Sequence, residues 1–154
     1  MKISPRVGAI LFLLWGIVHI IGGATFVYLT ATSGTDVALQ TMASAIESVS
    51  AGTGADVGAL LSYHFFNIAW LGLLAVAVAV TLNWKNSISG FWINLAVVGL
   101  TDIGLLFFML LPGTMSWADG SVGIVLGLAA IVFSGAAITT RSTLTTLSGN
   151  LQDA

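Results

Sequence analysis

The sequence predicts an all-α integral membrane protein: a bundle of four transmembrane helices, with a short amphipathic helix in the outer loop between the first and second spans. Three observations lead there. Of 154 residues, 57% are hydrophobic and only 6% charged, whereas soluble domains carry about a quarter charged residues; mean hydropathy is +1.04. Apolar runs at 7–30, 58–82, 89–112 and 120–139 reach the ~20 residues that a helix rising about 1.5 Å per residue needs to cross a bilayer core. All four basic residues also fall on one side of that arrangement. Residues 1–141 read as a single membrane domain, and 142–154 as a polar cytoplasmic tail, expected to fray.

The first span follows Lys2 and Arg6, as a signal peptide would. Its apolar run exceeds a typical signal core, so it is expected to remain as a helix. Between the first two spans lie about 27 residues, long for a loop in a compact bundle. Within them "TDVALQTMASAIESV", residues 35–49, spaces Leu39, Met42, Ile46 and Val49 at 3, 4 and 3. That is one apolar face of a helix, with Ser33 or Thr35 as candidate N-cap. Such a helix either caps exposed helix ends or acts as a lid over a cavity. "NWKNSIS" and "PGTMSWADGS" break the second and third spans, and Pro112 with Gly113 suits a helix stop.

Orientation follows from the basic residues. Lys2, Arg6, Lys85 and Arg141 lie on one side, and the two opposite loops carry only acidic residues, Asp36, Glu47, Asp56 and Asp119. The positive-inside rule puts both termini in the cytoplasm, in a bacterial or archaeal cytoplasmic membrane. Four basic residues cannot neutralise a nucleic-acid backbone, so no nucleic-acid partner is expected. The chain has no cysteine, which removes disulfides, thiolate metal sites and Fe–S clusters.

Polar residues inside the spans are the candidates for function. In "LLWGIVHIIGGATF", residues 13–26, His19 sits in an otherwise apolar run. Gly8, Phe12, Trp15, His19, Gly22 and Phe26 recur at 4, 3, 4, 3 and 4 and share a helix face. Glycines there admit a neighbouring helix, so His19 is expected to face protein rather than lipid. The second span opens with "SYHFFNIAW", placing Tyr63, His64 and Asn67 close together. The third carries Asn94, Thr101 and Asp102, and Asp102 is the one acidic residue well inside a span. A carboxylate there costs about 2.5–3.5 kcal/mol on insertion scales and reads as functional by default. The plainer reading is that such groups hydrogen-bond across helices and set register, for roughly 0.6 kcal/mol each. That reading suits Asn67 and Asn94 best. His19 and Asp102 lie at nearly one depth and are the candidate proton-transfer pair. Trp15, Tyr63, His64 and Asn67 are the candidate ligand-binding residues, with Phe65 and Phe66 as further apolar wall.

"LFLLWGIVHIIGG" with "YHFF", then "LTDIGLLFFMLLPG" and "WADGSVGIVLG", resembles small uncharacterised bacterial four-span membrane proteins. The chain is also similar to DoxX-like proteins in size and in carrying a first-span histidine near glycines. The resemblance covers the spans but not the outer loop. It implies a four-helix membrane bundle linked to quinone or lipid, and it assigns no catalytic residue. The four-span vitamin K epoxide reductase type, by contrast, needs cysteines.

Three functions stay open. One is a pocket in the outer half for a hydrophobic molecule with a polar head (a quinone, an isoprenoid or sterol-like compound, or a lipid), with or without His/Asp chemistry. Another is a non-enzymatic accessory subunit of a larger membrane complex or a homo-oligomer, its contacts carried by the Gly123/Gly127 face of "GIVLG". A third is a b-type haem protein with His19 and His64 as axial ligands, against which stands a depth difference of about 9 Å. The orientation has a direct check. Green fluorescent protein fused after Ala154 is expected to fluoresce, and alkaline phosphatase fused there to stay inactive; the reverse pattern would invert the topology.

Overall fold

The computed structural model describes residues 5–42 and 55–152. They form α1 (Pro5–Thr32), α2 (Thr35–Met42), α3 (Ala55–Thr81), a 3-10 turn (Asn83–Lys85), α4 (Ile88–Leu105) continued by a π-helical turn (Leu106–Leu110), and α5 (Trp117–Gln152). No strand occurs among the described residues. Four stretches, Arg6–Thr32, Val57–Lys85, Ile88–Leu110 and Trp117–Thr140, are long and apolar enough to cross a membrane, at 27, 29, 23 and 24 residues. The chain is thus an integral membrane protein built on four spans.

Its surface fits that solvent. Ile17, Ile21, Leu60, Phe66, Trp70, Leu100, Val125 and Val132 are exposed, while Asn94, Asp102 and Ser134 are buried. Water would punish this inverted distribution, and lipid favours it. Hydroxyls within the helices donate back to the carbonyl four residues earlier, as Thr30 does to Phe26 and Thr101 to Val97. Each of these hydroxyl donors is thereby spent inside its own helix.

Helix α1 is the hub. It packs along α3 on one side and α5 on the other, while α4 lies against α5 and touches α3 less. The α1–α3 seam is drawn tight by Gly16 and Gly72. A Cβ on either would stand 2.6 Å from the other's carbonyl oxygen. Gly23 approaches Phe65 and Ala69 in the same way. Gly22, expected to admit a helix, has nothing within 4 Å of the position its Cβ would take. Gly8, also on the stripe, does admit a helix, α5 at Ser134, while the close approach of α3 falls on Gly16 and Gly23, each one position past a stripe residue.

Near Lys85, α3 and α4 are clasped. Asn94, fully buried, donates from Nδ2 to Asn83 Oδ1 at 3.0 Å and to the Ala75 carbonyl at 3.3 Å. This is the cross-helix bond that the sequence suggested for Asn94. The turn between them passes through Asn86 at φ 54, and Ser87 caps α4 by accepting from the Gly90 N–H. Toward the other end, near α2, α3 and α4 have no equivalent clasp among the described residues.

Helix α2 begins after Gly34, whose φ of 95 suits glycine. Ala38 is buried, and Leu39 and Met42 are half-buried. The rest of the expected 35–49 helix, with Ile46 and Val49, lies outside the described residues. At the other terminus the backbone of α5 stays helical to Gln152, where the sequence suggested a frayed tail after residue 141.

The two kinds of glycine make opposite predictions. Gly16→Ala will cost about 1–3 kcal/mol through overpacking against a backbone carbonyl. Gly22→Ala will be neutral or raise stability by up to about 1 kcal/mol, from helix propensity alone. Thermal unfolding in detergent compares them, and equal losses would contradict the packing described.

Candidate functional site

Three polar side chains meet at the centre of the bundle. Trp15 is fully buried in one core with Phe12, Ala75, Val98 and Ala130. Its indole Nε1 donates to Asp102 Oδ1 at 3.1 Å, a bond from α1 to α4. On its other side the Trp15 ring stacks on the His19 imidazole, with centroids 3.7 Å apart and planes at 21°. Trp15 and His19 are one turn apart on α1, so the helix itself sets this stack.

His19 Nδ1 lies 2.8 Å from the Trp15 carbonyl oxygen. A carbonyl only accepts, so Nδ1 carries the hydrogen and donates. In a neutral imidazole that leaves Nε2 as an acceptor. Among the described residues no hydrogen bond or ion pair joins His19 to Asp102. The expected direct pair is therefore replaced by Trp15, which binds one partner by its N–H and the other by its ring. The tautomer of His19 is set by a backbone carbonyl rather than by the carboxylate.

Helix α5 makes room for both groups. A Cβ on Gly123 would lie 3.2 Å from His19 Cε1, 3.6 Å from His19 Nε2 and 3.8 Å from Asp102 Oδ1, and one on Gly127 would collide with Asp102 Oδ2. The small face continues through Ala130, Ser134 and Ala137, all buried. The Gly123/Gly127 face is thus filled by His19, Asp102 and Val98 of the same chain.

Beside this cluster opens a cavity of about 940 Å³. It is lined from all four spans and from α2, overwhelmingly by apolar side chains, with His19 as the polar residue that α1 contributes. Gly22 and Gly104 both line it, and neither has any atom within 4 Å of its missing Cβ. They hold space open rather than admit a helix. Met42, Met109 and Met115 line it nearer α2, and such flexible side chains adapt to varied shapes. Leu60, Leu100 and Phe108 line it while being 67%, 70% and 77% exposed, so apolar residues stand at its mouth. Met109 and Phe108 belong to the π-helical turn, where the Leu111 N–H reaches back to Leu106. Pro112 follows it; its ring would clash with the Phe108 carbonyl in a regular helix, and one wide turn relieves that. Such turns recur at functional sites.

The sequence candidates separate here. His19 and His64 line the cavity; Trp15 and Asp102 stand behind His19 and do not. Tyr63 is 66% exposed and Phe66 61% exposed, on the outer surface of α3. Asn67 is half-buried and, like Tyr63, does not line the cavity. Phe65 does, stacked on Phe26 at 4.6 Å. Sequence reasoning passed over Thr101 and Asp119, both cavity-lining. The available signal was position: Thr101 adjoins Asp102, and Asp119 opens the last span. Among the described residues, no group of three or more His, Asp or Glu side chains is placed to hold a metal ion.

The register of α1 on α3 bears on the haem reading. Gly16 faces Gly72, Gly23 faces Phe65 and Ala69, and Phe26 stacks on Phe65. His64 is thereby level with the Phe26 turn, about seven residues or 10 Å along α1 from His19. This offset agrees with the depth difference of about 9 Å that the sequence sets against the haem reading. Comparison with protein-family models, with curated proteins and with solved structures finds no significant match.

The Trp15–Asp102 bond can be weighed by a mutant cycle. Trp15→Phe keeps a ring over His19 but strands the buried carboxyl, for a loss of roughly 1–3 kcal/mol. Asp102→Asn keeps an acceptor for the indole and will cost less. The double variant will lose no more than Trp15→Phe alone. Unfolding measurements in detergent read all three; strictly additive losses would show that the two side chains are not coupled.

Proposed function

We propose that this protein binds a hydrophobic small molecule in the cavity between its spans, with the molecule's polar end directed at His19. The candidate classes are a quinone, an isoprenoid or sterol-like compound, or a lipid. The observation that carries this reading is the cavity itself: about 940 Å³, within the ~300–1,000 Å³ range of small-molecule sites and similarly apolar with few polar groups. A bundle selected only for packing gains nothing from glycines that face open space at Gly22 and Gly104, since each costs helix propensity. In a site, the same glycines supply volume.

The orientation that fits the basic residues places α2 and the cavity mouth on the outer side of a bacterial or archaeal cytoplasmic membrane, with both termini cytoplasmic. Exposed apolar residues at the mouth, Leu60, Leu100 and Phe108, suit a molecule arriving from lipid. If chemistry follows binding, His19 Nε2 is the group facing the ligand, and proton transfer is the reaction type it supports. Asp102, held by Trp15, acts on the ligand only through the position of the indole and the imidazole stacked on it. A non-enzymatic accessory subunit is the competing reading; its contacts would lie on the exposed apolar faces rather than at Gly123 and Gly127.

The test fills the space. Gly22→Leu and Gly104→Leu, singly and together, place side chains where no atom now stands. Native mass spectrometry of protein extracted from its membrane is expected to show a bound apolar species on the wild type that the double variant has lost, with the fold intact by thermal unfolding. An identical bound-species profile in the two proteins would refute the pocket.

A further inference from the structure

Among the described residues, the polar groups at the His19 end of the cavity are acceptors, and they narrow the ligand class. This inference rests on the binding reading above. His19 spends its Nδ1 hydrogen on the Trp15 carbonyl, so the Nε2 of the neutral ring offers a lone pair. Thr101 spends its hydroxyl hydrogen on the Val97 carbonyl at 2.7 Å, so its oxygen also offers lone pairs. Asp119 brings a carboxylate, which accepts from the Ser116 hydroxyl at 2.6 Å and has further lone pairs.

Donors are spent wherever the structure defines them. The backbone N–H groups of the lining residues Met115, Asp119 and Gly120 are bonded to the carbonyls of Met109, Ser116 and Ser116. Other lining residues sit within helices whose N–H groups serve the helical ladder. No Lys or Arg lines the cavity among the described residues. His64, at the level of the Phe26 turn, is the exception: its imidazole carries at least one N–H in any tautomer, so the wall keeps a donor there, about 10 Å along α1 from His19.

We infer that the ligand is an apolar molecule bearing a hydroxyl, which donates its hydrogen to His19 Nε2 or Thr101 Oγ1: an isoprenoid alcohol, a sterol or a quinol. Around His19 and Thr101 the described wall offers acceptors, and so rejects a group that only accepts there. An ether or an oxidised quinone carbonyl would meet lone pair with lone pair and forfeit its hydration. A phosphate head group would meet a carboxylate at Asp119, with no Lys or Arg among the described lining residues. The same logic applies to Trp15. Its N–H is the one strong side-chain donor nearby, and Asp102 holds it away from the cavity.

Two probes that differ only in the hydrogen test this directly: geranylgeraniol and its methyl ether, titrated into the full-length protein in nanodiscs and read by native mass spectrometry. The alcohol is expected to bind the wild type about tenfold more tightly than the ether. His19→Phe, which preserves an aromatic ring over Trp15, and Thr101→Val, nearly isosteric, are each expected to reduce that preference, and together to abolish it, while ether binding stays within about twofold. The Gly22→Leu/Gly104→Leu variant will bind neither. Equal affinity for alcohol and ether in the wild type, with both lost on filling the cavity, would overturn the donor requirement and leave the pocket standing. Failure of the wild type to bind either probe would overturn both. A preference for the alcohol that survives the His19→Phe/Thr101→Val pair would likewise overturn it, since the acceptors named would not be the source.

Discussion

The indole of Trp15 has to be buried, and its N–H has to be satisfied where no water reaches. Most of the structure can be read from that constraint. The N–H goes to Asp102, which turns an expensive intramembrane carboxyl into the acceptor that the indole requires. The ring face goes to His19. The carbonyl of the same residue takes the His19 Nδ1 hydrogen. One residue thereby ties α1 to α4, fixes an imidazole and chooses which of its nitrogens carries the hydrogen. Helix α5 follows from this: it must be small where the cluster is bulky, and Gly123, Gly127 and Ala130 lie there.

A second consequence is asymmetry between the two ends of the bundle. Near Lys85, Asn94 and Asn83 clasp α3 to α4, and Val98 and Ala75 fill the core. Past Trp15 the α1–α3 seam stays close at Gly23 and Phe65, but beside it the filling gives way to open space. Gly22 and Gly104 contribute no volume, and the helices enclose a cavity instead of a core. Packing density, which drives helix association in lipid where no hydrophobic effect operates between helices, is concentrated at one end. The other end is free to be shaped around something else.

The fold class was legible because solvent imposes it. Four apolar runs of spanning length admit few alternatives once every backbone group must be satisfied internally. The helix face bearing Phe12, Trp15 and His19 was legible too, since 3.6-residue periodicity is local. What was not legible depends on relations between helices. Spacing places Asp102 and His19 at one depth but does not say that an indole intervenes. A GxxxG pair reads the same whether it seats a partner helix or, as Gly123 and Gly127 do, two polar side chains. Gly22 and Gly23 are neighbours in sequence; one faces open space and the other the Phe65 carbonyl. Tyr63 and Asn67 flank the cavity-lining His64 in sequence, yet helical geometry turns them away from it.

The central claim is that the space beside His19 exists to hold an apolar molecule by its polar end. An experimental density map of protein purified from its own membrane, without added ligand, tests it most directly. The account predicts elongated density in the cavity, ending within hydrogen-bonding distance of His19 Nε2, with Trp15 between His19 and Asp102. Helices closed on one another around Gly22 and Gly104, with side chains filling the space and His19 bonded to Asp102, would contradict it.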